Sequence, residues 1–373
     1  MNSKIKVAFL GGRGITSNYG GVENATRAIA TNLINYDDIT PLVYGVKQSH
    51  SQKHNCLDGL VSIDAPLFIY NLMGQHGMIL WCVLHIVFIS RPKVVVVFAS
   101  GPCIFVPFLR MFGIKVISSL RAIDSKRGKW SFFNEKVLEL GEFFAWKFSN
   151  EFTVNSLAMQ KYYSAWRKAH FIPNGSEIIN NEKNTFDLSS QLPLKKNQFF
   201  FFAARLDPVK RLHLLLEAHS ELPENCSIPL VIAGGNCKDK NYENYLKSFA
   251  CNNVFFLGHV SPTVVDSYMI NCKAFVLPSI LEGMSNSILS AMINGKPVIA
   301  ANVPENLDLL EVDDAVFEAD SKDLLKEKLI AIATNDDFCL SLGKKLKTIA
   351  KNNYSWEKTS LNFYNLIKEI NIS

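Results

Sequence analysis

Residues 201–219 read FFAARLDPVKRLHLLLEAH, 230–235 LVIAGG, 254–260 VFFLGHV, and 275–311 FVLPSILEGMSNSILSAMINGKPVIAANVPENLDLLE. The first stretch is an apolar strand ending at Arg205, a turn at Asp207-Pro208, and a helix opening with Lys210. Two further strand–turn units follow. Then Glu282-Gly283 makes an acidic glycine turn at the mouth of another helix. Two cations, Arg205 and Lys210, beside helix N-termini at strand ends are what a bound diphosphate requires. Short strands alternating with helices predict a parallel sheet covered on both faces, with ligands at the strand carboxyl ends.

The alternation extends outward to both termini. Strands are expected at residues 5–10, 40–46, 94–99, 115–120, 151–155 and 169–173, then at 199–204, 229–233, 254–257, 274–277 and 297–300. Helices are expected at 21–34, 78–89, 104–112, 132–149 and 157–167. Residues 174–197, NGSEIINNEKNTFDLSSQLPLKKN, break this rhythm with polar residues and Pro193, and mark a boundary. The 373 residues exceed one ordinary core. The expected domains are 1–175, joined by an amphipathic closing helix at 355–371, and 176–354.

Composition narrows the function classes. Hydrophobic residues at 48% and charged residues at 20% describe a globular chain. A net charge of +5 permits attraction to anionic lipid or phosphorylated substrates without arguing for nucleic acid. Eight cysteines are scattered without CxxC spacing, so reduced thiols are expected rather than a zinc site. The histidines form no metal spacing, and His259 is expected to be a turn residue, not a base. The opening MNSKIKVAFLGG has too short an apolar run for a signal peptide. In MILWCVLHIVFI, residues 78–89, twelve apolar-rich residues fall short of the roughly 20 that span a bilayer. A buried or interfacial helix is expected there, and no transmembrane helix.

Two further segments carry polar chemistry. After the first strand, Gly12, Gly14 and Ser17 only approximate the G-x-G-x-x-G of a dinucleotide site. The second strand also ends without the acid that would hold ribose hydroxyls. The alternatives are that Gly20 and Gly21 let amides at a helix start approach a ligand, or that the loop needs positive φ. After the strand at 115–120 comes Arg121-Ala-Ile-Asp124-Ser-Lys126-Arg127-Gly-Lys129-Trp130, followed by Phe132, Phe133, Phe143, Phe144, Trp146 and Phe148. Its cations suit a phosphorylated lipid and a membrane surface. The aromatics are read first as core and second as a membrane face.

In order and spacing, residues 201–311 resemble the nucleotide-binding half of retaining glycosyltransferases of family 4, glycosyltransferase group 1. GGRGITSNYGGVEN resembles the amino-terminal signature of its bacterial polysaccharide rhamnosyltransferase-like subgroup. The resemblance implies a GT-B fold: two doubly wound α/β domains facing across a cleft, the last helix returning to the first domain. It implies that Arg205 and Lys210 hold the donor pyrophosphate without a metal, and that Glu282 is catalytic beside the donor sugar. Gly20, Gly21, Gly234, Gly258, Gly283, Met284, Ser285, Asn286 and Ser290 would line the donor site. The subgroup carries D-G-x-E-W-K-R-x-K-W where this chain has Arg121–Trp130. Asp124, in place of the glutamate, is the second catalytic candidate, with Arg121, Lys126, Arg127, Lys129 and Trp130 as acceptor or lipid contacts.

Family 4 has a second glutamate eight residues after the first, binding ribose; this chain has Ser290. A serine cannot bridge two ribose hydroxyls as a carboxylate does. The departure points to a dTDP-sugar, which lacks the 2′-hydroxyl, or to another residue such as Glu305 taking that contact. The implied activity is transfer of a hexose, most simply L-rhamnose from dTDP-rhamnose, to a lipid-linked (polyprenyl diphosphate) oligosaccharide of surface polysaccharide such as O-antigen. The expected setting is peripheral, at the cytoplasmic face of the membrane, with a nucleotide sugar as substrate and no cofactor. Alternatives are a UDP-glucose or UDP-galactose enzyme of that pathway, a non-catalytic sugar-binding protein, and a nucleotide-sugar epimerase.

Overall fold

The computed structural model describes residues 4–15, 20–46, 59–127, 132–179, 192, 194–235, 237 and 239–372. The chain divides into two units, Met1–Gly175 with Trp356–Ser373, and Ser176–Ser355. Of the polar stretch 174–197, residues 180–191 and 193 lie outside the described residues.

The first unit runs β1 (Ile5–Leu10), α1 (Gly21–Leu33), β2 (Ile39–Val46), β3 (Val61–Ala65), α2 (Leu67–His85), β4 (Val94–Phe98), α3 (Val106–Met111), β5 (Lys115–Leu120), α4 (Phe132–Phe148), β6 (Glu151–Val154), α5 (Leu157–Tyr163) and β7 (His170–Phe171). Its seven strands lie in the order β3-β2-β1-β4-β5-β6-β7, every pair parallel. Along β1, Ala8 and Leu10 face one core while Ile5, Val7 and Phe9 face the other. Burial on both faces is why these strands are unbroken apolar runs such as Val94-Val-Val-Val-Phe98.

The second unit runs β8 (Phe200–Ala203), α6 (Leu212–Ser220), β9 (Leu230–Ala233), α7 (Lys240–Lys247), β10 (Val254–Gly258), α8 (Pro262–Asn271), β11 (Ala274–Leu277), α9 (Asn286–Ile293), β12 (Val298–Ala301), α10 (Pro304–Leu310), β13 (Val316–Phe317), α11 (Lys322–Thr334) and α12 (Asp336–Asn353). The strand order is β10-β9-β8-β11-β12-β13, again parallel. The last helix, α13 (Trp356–Ile372), belongs to the first unit and packs on α1. Tyr364 stacks on Tyr36 at 4.0 Å, and Lys368 donates to Asp38 at 2.6 Å.

Each sheet reverses its strand order once, between β1 and β4 and between β8 and β11. At such a reversal the connections leave on opposite faces and open a crevice at the strand carboxyl ends. Arg205 follows β8 and Glu282 follows β11, so both lie at the second reversal. Gly11 and Ala99 follow β1 and β4 at the first.

Three sequence expectations are corrected here. Strands β3 and β13 were not anticipated; they are short edge strands with little apolar signal. The helix expected at 78–89 begins at Leu67 and continues as a π-turn over Ile86–Ser90. These 24 residues are by length and composition enough to cross a membrane, twice the twelve apolar-rich residues seen in the sequence. They instead pack one face on β2 and β3, burying Met78, Ile79, Cys82, Val83 and Ile86. Tyr44 pins this face, with its hydroxyl 2.6 Å from Ser90 Oγ and 3.0 Å from His85 Nδ1. Third, two of the α4 aromatics expected in the core are not there: Phe143 and Phe148 are exposed, because the buried stripe of α4 carries Gly141, Glu142 and Ala145, while Phe144 is half-buried and Trp146 packs partly buried against the core.

Candidate functional site

In the second unit the site begins where β8 ends. Asp207 caps a short 3₁₀ turn, Pro208–Lys210, by accepting from Val209 N at 3.4 Å. The turn is tied to the loop after β11. Ile280 N donates to Val209 O at 3.0 Å, and Ser279 Oγ donates to the same carbonyl at 3.3 Å. This cross-tie brings residues 72 apart in sequence together, and Lys210 Nζ donates to Glu282 Oε1 at 2.5 Å. Their side chains are only 15% and 9% exposed, so the two charges are largely withdrawn from water and hold each other.

Arg205 is exposed and pairs with no described carboxylate. The two expected diphosphate cations therefore differ in state: one is committed to a carboxylate, the other presented to solvent. Sequence spacing did not disclose the Lys210–Glu282 pair, because it depends on how two loops meet. Arg211, at φ 49, turns away to Asp320 and the carbonyl of Ala319.

Helix α9 sets the other side. Ser285 caps it, accepting from Ile288 N at 3.4 Å, and Ser287 Oγ ties it to the β8 end at Ala203 O, 3.2 Å. Gly283 is buried; Met284, Asn286 and Ser290 are half-buried. The Ser290 carbonyl accepts from Asn294 Nδ2 at 2.8 Å. Glu305, in the first turn of α10, has its carboxyl pushed above the ordinary carboxylate range by burial, with the nearby charges of Asp308 and Glu282 adding to it. Glu305 thus stands near Glu282.

The strand-end glycines have packing reasons of their own. A Cβ on Gly234 would lie 2.1 Å from Ala204 O, and one on Gly235 3.1 Å from His259. Gly258 sits at φ 70, favoured for glycine.

In the first unit the backbone demand falls elsewhere than at the paired glycines. Gly20 is extended at φ −170, which any residue adopts. Gly11 and Gly14 are the ones at positive φ, and a Cβ on Gly11 would lie 2.2 Å from Phe98 O. Arg13 N donates to the buried Glu23 at 3.3 Å. Ser17 lies outside the described residues.

Asp124 opens a short 3₁₀ turn, Asp124–Arg127, and lines a cavity of about 400 Å³ with Gly11, Ala99 and residues of α2 and α4. The turn is held from below by the buried Glu142 of α4, which accepts from Ser125 N at 3.2 Å, Ser125 Oγ at 3.1 Å and Ser100 Oγ at 3.4 Å. Sequence reading passed over Glu142; a glutamate among seven aromatic and apolar helix neighbours was the available signal.

Arg121 is a correction to the expected acceptor contact. Its guanidinium lies over the rings of Phe98 and Phe363, 5.1 and 5.8 Å from their centroids, and donates to Asn174. Burial pushes its pKa down to about 9, still cationic at neutral pH. The side chain joins β5 to α13 instead of reaching out. Lys126 and Arg127 lie on the turn by backbone position, while Lys129 and Trp130 fall outside the described residues. Among the described residues, no three His, Cys, Asp or Glu side chains are grouped to hold a metal ion.

Residues 184–356, almost all of them in the second unit, match the family model described as Glycosyl transferases group 1. An uncharacterized glycosyltransferase of Methanocaldococcus jannaschii is 27% identical over 175 residues, 46% of this chain and 48% of the relative. The Escherichia coli UDP-Gal:alpha-D-GlcNAc-diphosphoundecaprenol alpha-1,3-galactosyltransferase is 28% identical over 228 residues, 57% of this chain and 55% of the relative. The chain spans about half the length of these curated relatives. Over 98% of its length it superposes on sucrose-phosphate synthase from Thermosynechococcus elongatus (TM-score 0.79, 15% identity, 99% of that chain). It superposes likewise on HepE from Anabaena in complex with UDP-glucose (TM-score 0.78, 18% identity, 100% of that chain). The fold is that of GT-B glycosyltransferases.

Proposed function

We propose that this chain is a retaining, metal-independent glycosyltransferase that moves a hexose from a nucleoside diphosphate onto a lipid-linked oligosaccharide of a surface polysaccharide such as O-antigen. The observation that carries this is the Lys210–Glu282 pair at the strand-order reversal of the unit matching the group 1 family. As the bond from the anomeric carbon to the diphosphate oxygen breaks, its electron pair stays on that oxygen. Arg205 and Lys210 stabilise the charge that develops. The acceptor hydroxyl bonds to the same face of the sugar and passes its proton to the leaving diphosphate, and Asp124 is the residue of the first unit offered for holding the acceptor. Glu282 positions Lys210 and contacts the donor sugar.

For the donor we propose dTDP-rhamnose, on the strength of Ser290 where a ribose-binding glutamate would stand. A UDP-hexose is the second reading. It is favoured by Glu305 beside Glu282 and by the UDP-Gal relative. Titration of purified protein with hydrolysis-resistant dTDP- and UDP-sugars separates the two; tighter UDP binding rejects the rhamnose reading. Product mass from a lipid-linked acceptor, with turnover retained in chelator, is the expected outcome of the transfer assay. Loss in chelator and recovery with magnesium would overturn metal independence.

We also propose that the first unit works peripherally on the cytoplasmic membrane surface. Residues 67–90 contain no Asp, Glu, Lys or Arg, yet Phe68, Leu72, Leu84, Phe88 and Ile89 are exposed. Phe88 meets Phe112 at 5.6 Å, which extends this face to Met111 on α3. An uncharged apolar face of this extent is unfavourable in water and suited to lipid. Leu72→Glu with Ile89→Glu is expected to lower the partition coefficient onto anionic phospholipid vesicles, read by sedimentation, by about a hundredfold or more, since each buried apolar side chain contributes about 1.5–3 kcal/mol. Unchanged sedimentation would count against the assignment.

A further inference from the structure

We propose that the groove between α4 and α5 is a second saccharide site, which holds sugars of the acceptor oligosaccharide beyond the one that reacts. The inference rests on the glycosyltransferase reading for its context and on the groove itself for its chemistry. The groove lies wholly in the first unit and has about 360 Å³ of space. One wall is aromatic: Phe143, Trp146, Trp166 and Tyr162 follow one another at centroid separations of 5.1, 6.4 and 5.3 Å. Phe143 and Trp166 remain 41% and 50% exposed. Arg167 fixes the turn carrying Trp166 against the end of α4, donating to the carbonyls of Trp146 at 3.2 Å and Ser149 at 2.8 Å. Glu135 and Glu139, one helical turn apart on α4, also line the groove.

These groups select among ligand classes. The carboxylates of Glu135 and Glu139 repel the phosphates of an anionic membrane, in contrast to the uncharged outer face of α2. A cation is poorly served as well. Glu139 already accepts from Lys136 at 2.6 Å, and the third carboxylate of the lining, Glu142, is buried and holds Ser125 and Ser100. A neutral sugar uses what remains. Its C–H face covers an aromatic ring, and its hydroxyls donate to carboxylates and accept from the indole N–H groups of Trp146 and Trp166. Position favours the acceptor as the source of that sugar. Ser125 lines the groove and Asp124 lines the cavity of about 400 Å³, so the two recesses flank a single peptide bond. An oligosaccharide held at Asp124 has the aromatic wall next to it.

The test is binding of the full chain to an array of lipid-free bacterial surface oligosaccharides, graded from single sugars to whole repeat units, with UDP titrated separately by calorimetry. Trp166 is half exposed and Glu135 has no ion-pair partner among the described residues, so Trp166→Ala and Glu135→Ala are both expected to fold. Binding is expected to strengthen from single sugars to longer chains and to weaken by about tenfold in each variant, with UDP affinity unchanged. Choline is expected not to displace the glycan, and Trp166→Ala should sediment with phosphatidylglycerol vesicles as the wild type does. No binding to any member of the array, unchanged binding in either folded variant, displacement by choline, or loss of vesicle binding in Trp166→Ala overturns the proposal. Glycan binding without UDP binding would sink the transferase reading and leave the saccharide site standing.

Discussion

Replacing Lys210 with alanine is expected to lower kcat/KM for sugar transfer by about 10²–10³-fold, the loss typical when a fixed donor to a developing anion is removed. Two effects combine. The leaving diphosphate loses a cation, and Glu282 is left as a largely enclosed carboxylate with its 2.5 Å partner gone. The second effect distinguishes this pair from an ordinary surface salt bridge, worth about 0–1 kcal/mol. Glu282→Gln keeps the shape and frees Lys210. It is expected to reduce transfer with little change in nucleotide affinity, whereas Lys210→Ala reduces both. Arg205→Ala, at an exposed position, should weaken nucleotide binding without destabilising the fold. Steady-state kinetics with UDP titration reads all three. Near-wild-type kcat/KM in Lys210→Ala would remove the basis for a diphosphate site here.

The second large effect is expected at Glu142. Alanine there leaves Ser125 N, Ser125 Oγ and Ser100 Oγ without their acceptor inside the protein, at a cost of about 2–4 kcal/mol. Burial raises the Glu142 carboxyl above its ordinary range, with the Asp124 charge adding, while hydrogen bonds from Ser125 and Tyr163 oppose the shift. A raised pKa means that the folded state holds the proton more tightly than the unfolded chain. The associated stability is fully present below the unfolded value and is lost as pH rises through the folded one. Glu142→Gln keeps an oxygen acceptor and cannot titrate. Its denaturation midpoint relative to the wild type should therefore rise as pH climbs above the ordinary carboxylate range. A parallel pH dependence in the two proteins would show that Glu142 does not titrate in this window. Because Glu142 also holds the Asp124 turn, the alanine variant is expected to raise KM for the acceptor more than for the nucleotide sugar.

Much of the fold was legible from local pattern. Val94–Phe98 and Phe200–Ala203 are unbroken apolar runs because both faces of a parallel sheet are covered, and the helices between them show their own period. The strand ends that carry Arg205 and Glu282 could be placed for the same reason. What failed had weak local signals or competing ones. Residues 61–65 alternate poorly and form an edge strand. Residues 67–77 hide a helix start behind two glycines, one of which, Gly74, does leave helical geometry. Phe143 and Phe148 looked like core because aromatic content is visible in sequence and helix rotation is not.

The chain's order of residues determined two α/β units, their parallel sheets and a pair of cations near a glutamate-led helix, since periodicity and turn chemistry act over a few residues. Only the tertiary structure decided that Lys210 is committed to Glu282, that Arg121 is enclosed between rings, and that an apolar cavity lies under α2. Those outcomes depend on contacts between segments tens of residues apart, where burial and the meeting of loops set which charges are paired and which are free.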